Sequence, residues 1–127
     1  MTQPERKAIA TNEAPGAIGP YSQAVQFGNM IFTSGQLGMN SAGEFPPTVE
    51  EQAKQSLSNV KAILEAAGFG MEQIVKTTVY LQDMTDFASV NEVYATFFSE
   101  PYPARSAVEV AKLPKDGLVE IEVIAVK

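Results

Sequence analysis

Arg105 is the first residue whose type and position suggest chemistry. It follows a Pro-Ala dipeptide at the start of a β-prone run, and its planar guanidinium can bind a carboxylate through two hydrogen bonds. Two roles are open for it. One is an internal salt bridge to Glu109, Glu120 or Glu122, and the other is a clamp for the carboxylate of a small substrate.

Glu120 is the second candidate, because it lies in the last apolar run of the chain. Burial raises the pKa of such a carboxyl group, whereas a nearby arginine lowers it, and either balance suits proton transfer to or from water. A solvated strand glutamate or a structural ion pair is the alternative. Glu122, two residues further on the same strand face, is the natural control.

Two turn segments complete the candidates. In Ile18-Gly19-Pro20-Tyr21-Ser22 the hydroxyl of Tyr21 can donate a hydrogen bond into a pocket, or its ring can simply pack. Gly35, after Thr33-Ser34, permits close approach of the backbone and leaves amides for an anion, although a plain strand-ending turn is also possible. No Gly-rich phosphate motif and no metal-ligand spacing occurs, so we expect no metal site.

Composition narrows the function classes. The 127 residues are 45% hydrophobic and suit a single domain spanning 1–127. A formal charge of −6 without a basic block argues against a nucleic-acid partner. With neither cysteine nor histidine, disulfides, thiolate nucleophiles and Ser-His-Asp triads are excluded. The charged start, residues 1–7, does not resemble a secretory signal, and no apolar stretch has membrane-spanning length, so we expect a cytoplasmic protein without a membrane partner.

The hydrophobic pattern predicts an α+β fold with the element order β-β-β-α-β-α-β-β. Strands are expected near residues 7–10, 22–27, 30–34, 74–81, 104–110 and 118–126, with a loop over 35–47. The first helix, capped by Thr48, begins at Val49 and ends after about 20 residues at Gly68; its outer surface includes Lys54, Gln55, Ser58, Asn59 and Lys61. The second helix has Thr85 or Asp86 as its N-cap and a buried stripe of Phe87, Val90, Tyr94, Phe97 and Phe98.

Two helices cover only one face of such a mixed sheet of about six strands. In the last strand, alternate residues form one wholly apolar face, consisting of Val119, Ile121, Val123 and Ala125. The other face mixes Glu120 and Glu122 with large aliphatic residues. It is too apolar for solvent and too charged for a core, which suits a subunit interface that contains a site.

Together these segments resemble the RidA/YjgF/YER057c family, whose members were once described as L-PSP endoribonucleases. The resemblance covers nearly the whole chain, in order. It rests on AIGPYSQA (17–24), FTSGQ (32–36), QSLSNVKAIL (55–64), VKTTVYL (75–81), PARSAVEV (103–110), LP (113–114) and VEIE (119–122).

The resemblance implies a chorismate-mutase-like fold, with one mixed sheet and two helices on one face. It implies a homotrimer whose sheets form a central barrel, with clefts between subunits. The implied activity is hydrolysis of 2-iminobutanoate and 2-iminopropanoate, which are reactive enamine/imine products of pyridoxal-phosphate-dependent dehydratases, to 2-oxo acids and ammonia. The protein itself would need no cofactor.

The same resemblance assigns roles to residues. Arg105 would bind the substrate carboxylate, Glu120 would activate the attacking water, and Tyr21 would line the cleft. Gly35 and Ala107 would contact the ligand in part through backbone amides. Ala107 stands where many relatives have cysteine, so thiol chemistry does not carry over. Ser34 and Asn91 also match common family positions.

Two other functions remain open from the residues. A trimeric protein that binds small carboxylates without turnover would use the same arginine. Ribonuclease activity is suggested only by the older family description, and the charge of −6 opposes it.

Overall fold

The computed structural model describes residues 5–127, so the first four residues of the predicted 1–127 domain, and with them part of the segment 1–7, lie outside the described residues. Seven strands and two α-helices form in chain order. The strands are β1 (Arg6–Ile9), β2 (Ala24–Phe27), β3 (Met30–Thr33), β4 (Gln36–Leu37), β5 (Ile74–Leu81), β6 (Ala104–Glu109) and β7 (Val119–Val126), and the helices are α1 (Val49–Ala66) and α2 (Phe87–Ala95).

The strands form one mixed sheet in the order β1-β2-β3-β7-β5-β6. All neighbours are antiparallel except β5 and β6, which run parallel and are joined through α2. This confirms the predicted α+β fold. The helices pack on one face of the sheet, where the core residues of β5 and β7 meet those of α1.

Strand β4 was not predicted, because the segment 35–47 was expected to be a loop throughout. It pairs with the same edge of β7 as β3 does: Phe32 lies opposite Ile124, and Gln36 lies opposite Ile121. A strand of two residues has no detectable period in the sequence, and its pairing with a strand some 85 positions away is a tertiary contact. The sheet therefore has seven strands rather than six.

The predicted alternation of β7 is confirmed. Val119, Ile121, Val123 and Ala125 are buried, whereas the residues between them are only partly buried. The buried side packs beneath α1, whose apolar stripe of Leu57, Val60, Ile63 and Leu64 is fully buried. Period two in the strand and period 3.6 in the helix thus bring two apolar surfaces together.

The ends of α1 follow the predicted capping residues. The Thr48 hydroxyl accepts a hydrogen bond from the Glu51 amide at 3.1 Å. At the other end the Phe69 amide donates to the Leu64 carbonyl at 2.9 Å, and Gly68 adopts φ +80°, a conformation that favours glycine. The helix has 18 residues, close to the expected 20.

The cap predicted for α2 is wrong in detail. Asp86 occupies the N-cap position, but its side chain caps no amide. Asp83 instead caps a short 3-10 turn, Met84–Asp86, by accepting hydrogen bonds from the amide and hydroxyl of Thr85 at 2.9 and 2.7 Å. The 3-10 turn leads directly into α2, so the capping signal lies one turn earlier than the sequence suggested.

Asn59 does not lie on the outer surface of α1, where it was predicted. It shares a buried polar stripe with Gln52 and Ser56. Ser56 Oγ donates to the Gln36 carbonyl at 2.7 Å, and Asn59 Nδ2 donates to the Met39 carbonyl at 2.9 Å. Because these bonds satisfy backbone carbonyls of β4 and its loop, polar residues are favoured on the inner face of the helix.

We predict that Asn59→Ala lowers the free energy of unfolding by about 1–3 kcal/mol, because it leaves buried carbonyls without their donor. Chemical denaturation measures this change. Ser58→Ala is the matched control, since Ser58 is adjacent on α1 and makes no side-chain hydrogen bond within residues 5–127; it should change stability by no more than about 0.5 kcal/mol. Equal effects of both substitutions would contradict the prediction.

Candidate active site

The site begins at a break between β3 and β4. There, Ser34 and Gly35 leave the ladder, and the Thr33 hydroxyl accepts a hydrogen bond from the Val123 amide at 3.0 Å. Gly35 then passes directly against the side chain of Glu120. A Cβ atom at Gly35 would lie 2.7 Å from Glu120 Cδ, so only glycine leaves room for the carboxyl group where it stands. The glycine thus allows a close approach of the backbone, and this approach is made to Glu120. Contact of the Gly35 amide with a bound anion stays a prediction.

Glu120 lines a cavity of about 380 Å³. The predicted site residues Tyr21 and Gly35 line the same cavity, and the remaining wall is largely apolar, with Ile18, Leu37, Met39 and Pro114. Burial raises the pKa of the Glu120 carboxyl above its usual range, and the charge of Glu122 on the same strand face raises it further. A carboxylate with a raised pKa is a stronger base.

The loop that carries Tyr21 is held by hydrogen bonds from two polar residues. Ser34 Oγ donates to the Ser22 carbonyl at 2.6 Å. The buried amide of Gln23 accepts from the Thr11 amide at 2.7 Å and donates to the Pro15 carbonyl at 2.7 Å. Gln23 was assigned no role from the sequence, because only the folded loop shows which backbone groups its amide satisfies.

Arg105 lies outside this cavity, on the edge strand β6. Its Nη1 donates to Asn91 Oδ1 at 2.6 Å, and its guanidinium lies over the rings of Phe87 and Tyr94, 5.2 and 4.8 Å from their centroids. Arg105 is exposed and borders a second cavity, of about 460 Å³, together with Tyr102. Among residues 5–127 the side-chain ion pair is Lys112–Asp116, so the internal salt bridge considered for Arg105 does not form.

Ala107 lies two residues after Arg105 on the same strand. The amide of Val110, the residue after β6, donates a hydrogen bond to the Leu81 carbonyl of β5 at 2.9 Å. Amides alternate in direction along a strand, so those of Arg105 and Ala107 point to the free edge of the sheet. The Ala107 amide is thus placed beside Arg105, as the predicted backbone contact with a ligand requires.

The structure places the predicted site residues in two groups. Arg105 and Ala107 stand on the helix side of β6, whereas Tyr21, Gly35 and Glu120 share the other cavity. In the sheet, Arg105 lies opposite Thr77 of β5, and Glu120 lies opposite Tyr80 of the same strand. Tyr80 follows Thr77 by three residues, or roughly 10 Å, and its side chain lies on the other face of the sheet. One chain therefore does not bring Arg105 and Glu120 together.

Glu122 has a different environment from Glu120. Its Oε1 accepts a hydrogen bond from the Tyr80 hydroxyl at 2.8 Å, and this bond raises the pKa of Tyr80. Unlike Glu120, it does not line the cavity. Glu122 is therefore a suitable control for the role of Glu120.

Metal-binding clusters and membrane-spanning helices are both absent from the part of the chain that the structure describes. Within it, no three acidic, histidine or cysteine side chains are grouped so that they could hold a metal ion. Of the helices in residues 5–127, none combines the length and hydropathy needed to cross a bilayer.

Comparison with known proteins identifies the family. Residues 11–127 match the family described as Endoribonuclease L-PSP. The curated 2-iminobutanoate/2-iminopropanoate deaminase of Escherichia coli K12 is 59% identical over 125 residues, which cover 95% of this chain and 98% of that protein. The chain belongs to the RidA/YjgF family. The resemblance inferred from the motifs is confirmed.

Solved structures of RidA/YjgF proteins match the fold closely. The YjgF gene product of E. coli superimposes with a TM-score of 0.92 at 59% identity, covering 95% of this chain and 98% of that one. E. coli TdcF, solved with bound serine, superimposes with a TM-score of 0.92 at 54% identity and the same coverage. The fold described above is thus the RidA/YjgF fold.

The contact between Gly35 and Glu120 yields a prediction. Gly35→Ala should fold normally, because the added Cβ meets the mobile end of a side chain. Displacing the Glu120 carboxyl by about 1 Å should nevertheless lower the rate of imine hydrolysis by about 100-fold. The measurement is a deamination assay combined with a crystal structure of the variant.

Gly16→Ala is the matched control for this experiment. Gly16 lines the same cavity, but a Cβ atom there meets nothing within 4 Å. This variant should retain wild-type turnover. Wild-type turnover by Gly35→Ala, or equal losses in both variants, would contradict the role assigned to the close approach.

Proposed function

We propose that this protein hydrolyses 2-imino acids, with 2-iminobutanoate and 2-iminopropanoate as substrates, to 2-oxo acids and ammonia. The observation that carries the proposal is Glu120, a half-buried carboxyl with a raised pKa, beside Gly35 in a largely apolar cavity. The E. coli relative, named for this activity, adds support through its 59% identity over most of both chains.

The reaction needs two things from the protein. The guanidinium of Arg105, aided by the Ala107 amide, binds the substrate carboxylate and so fixes the position of the imine carbon. Glu120 takes a proton from a water molecule as the oxygen attacks that carbon. Glu120 returns this proton to the nitrogen of the resulting carbinolamine. The C–N bond then breaks and ammonia leaves, while the hydroxyl group gives its proton to Glu120 as the carbonyl forms. Water supplies the oxygen, and neither oxidant nor cofactor takes part.

The reactivity of the substrate explains why these groups suffice. An iminium carbon is already electrophilic, so no covalent nucleophile of the protein is required. A positioned general base contributes about 10²–10⁴-fold, and orientation of water and carboxylate contributes further. This chemistry agrees with a sequence that has neither histidine nor cysteine.

We propose that the complete site forms between two copies of the chain, in a homotrimer. Arg105 and Glu120 lie on opposite faces of one sheet, so a neighbouring copy has to supply one of them. The sheet face without helices carries large hydrophobic side chains, among them Phe27 and Phe32, which are 48% and 40% exposed. Packing of these faces against each other would remove them from water and close the sheets into a central barrel.

A cytoplasmic location stays a prediction from the sequence. The proposed substrates arise from pyridoxal-phosphate-dependent dehydratases acting on threonine or serine, and a deaminase would act where those intermediates are released. No nucleic acid is expected as a partner, because the net charge is −6.

The first test couples the purified protein to a threonine dehydratase and follows release of 2-oxobutanoate. The wild type should accelerate the release. Arg105→Ala and Glu120→Gln should each reduce the acceleration by at least about 100-fold, since they remove the carboxylate clamp and the general base. Equal activity of wild type and Arg105→Ala would exclude the proposal.

Glu122→Gln is the control for loss of charge on the same strand face. It should keep near-wild-type activity at neutral pH, because Glu122 does not line the cavity. Its charge raises the pKa of Glu120, so its removal should move the acid limb of the pH–rate profile to lower pH. An acid limb that moves upward would contradict this assignment.

The second test asks whether the site is shared between copies. Arg105→Ala and Glu120→Gln subunits are mixed, unfolded and refolded together. Each inactive subunit then supplies the residue that the other lacks, and random mixing should restore about one quarter of the wild-type activity. Separately refolded variants mixed afterwards are the control. No recovery in authentic mixed trimers would place both residues in one subunit's site.

A carboxylate-binding protein without turnover is the second candidate, since it would use the same Arg105. Saturable binding of 2-oxobutanoate in calorimetry, with no acceleration in the coupled assay, would favour it. Ribonuclease activity has less support. It would be revived by RNA cleavage that co-purifies with the protein and is lost in the Glu120→Gln variant.

A further inference from the structure

One face of α2 is built around the side chain of Arg105. Phe87, Asn91 and Tyr94 are spaced four and three residues apart, so they lie on one stripe of the helix. Phe87 and Tyr94 place their rings against the guanidinium, and Asn91 accepts a hydrogen bond from Nη1 at 2.6 Å. The end of an exposed and flexible side chain is thus restrained by three contacts.

The ring of Tyr94 is itself held in place. Its hydroxyl shares a 2.8 Å hydrogen bond with Thr77 Oγ1, and both residues are buried. Thr77 is the register partner of Arg105 in the neighbouring strand. Phe98 supports the ring from another side, with 4.5 Å between centroids. Thr77, which lies beside Arg105 in the sheet, therefore holds Tyr94, one of the residues that restrain the Arg105 side chain.

The chemistry of Asn91 suits a positioning role. Its amide oxygen is a neutral acceptor, so it orients the guanidinium without neutralising the positive charge. An aspartate at this position would form an ion pair and compete with a substrate carboxylate. Among residues 5–127, neither Nε nor Nη2 of Arg105 has a hydrogen-bond partner. The Nε/Nη2 edge is therefore available for a bidentate carboxylate.

We propose that Asn91 and the Thr77–Tyr94 pair are positioning residues, which hold the Arg105 guanidinium with its Nε/Nη2 edge available for the substrate carboxylate. This inference rests on the carboxylate-binding role of Arg105 in the proposed function. An arginine loses substantial rotamer freedom when it binds a ligand. Restraint of the side chain before binding removes part of that cost.

A ligand-free measurement tests the restraint directly. The sequence has two arginines, Arg6 and Arg105, so ¹⁵N relaxation of their Nε–H groups gives one signal for each. In the wild type, Arg105 should show a high order parameter, while the exposed Arg6 should fall below about 0.6. Asn91→Ala should lower the Arg105 value and leave Arg6 unchanged. Equal mobility of the two arginines in the wild type would overturn the inference.

A charge substitution tests whether the neutral charge of Asn91 matters, in addition to its hydrogen bond with Arg105. In Asn91→Asp, Arg105 should stay immobile, but the dissociation constant for 2-oxobutanoate and the KM for 2-iminobutanoate should rise at least about tenfold, with kcat changed much less. Ala88→Asp is the matched control, since it adds the same charge to an exposed position of α2 outside the Arg105 cavity. Wild-type affinity in Asn91→Asp, or the same loss in Ala88→Asp, would overturn the inference.

Thr77→Val and Tyr94→Phe test the buried pair while preserving shape. Each should weaken 2-oxobutanoate binding by about two- to tenfold. Because both substitutions break the same hydrogen bond, the double variant should lose no more affinity than the single variant that binds more weakly. Lower thermal stability with unchanged affinity and unchanged Arg105 mobility would show a merely structural role. Failure of the wild type to bind 2-oxobutanoate would count against the proposed function, whereas the relaxation measurement still decides the positioning.

Discussion

The in-and-out alternation of strand β7 is the constraint from which the arrangement of the site follows. β7 lies between β3 and β5, and its residues from Val119 to Ala125 at alternate positions are buried beneath α1. Glu120 must therefore face the other side of the sheet. Register through β5 places Arg105 on the helix side of β6. The separation of Glu120 from Arg105 is thus a property of the sheet itself and does not depend on loop conformation.

The two groups of residues are prepared for different tasks. Glu120 is kept half-buried in a largely apolar cavity, and both burial and Glu122 raise its pKa. Arg105 is exposed, with aromatic rings and a neutral amide oxygen around its guanidinium. In a protein of net charge −6, an anionic substrate has to be attracted by such local groups and not by the field of the whole molecule.

Buried polar side chains connect the stability of the fold with the shape of the site. Ser56 and Asn59 of α1 bind the carbonyls of β4 and its loop, directly after the break at Gly35. Gln23 binds the backbone of the loop that leads to the Tyr21 turn. In each case a polar group replaces apolar packing where backbone groups would otherwise lie buried without partners. These hydrogen bonds therefore hold the irregular backbone segments that border the cavity in place.

The element order apart from β4, the capping of α1, the alternation of β7 and the candidates Arg105, Glu120, Gly35 and Tyr21 could all be read from the sequence, because each depends on local spacing or on motifs. What depends on contacts between distant positions could not. Pairing of β4 with β7, the inward turn of Asn59, the cap at Asp83 and the Asn91 contact are of this kind. The sequence by itself determined which chemical groups are present and how residues alternate between the two faces of β7. Only the tertiary structure decided that Glu120 and Arg105 lie on opposite faces of one sheet, because strand register and sheet order are set by long-range pairing.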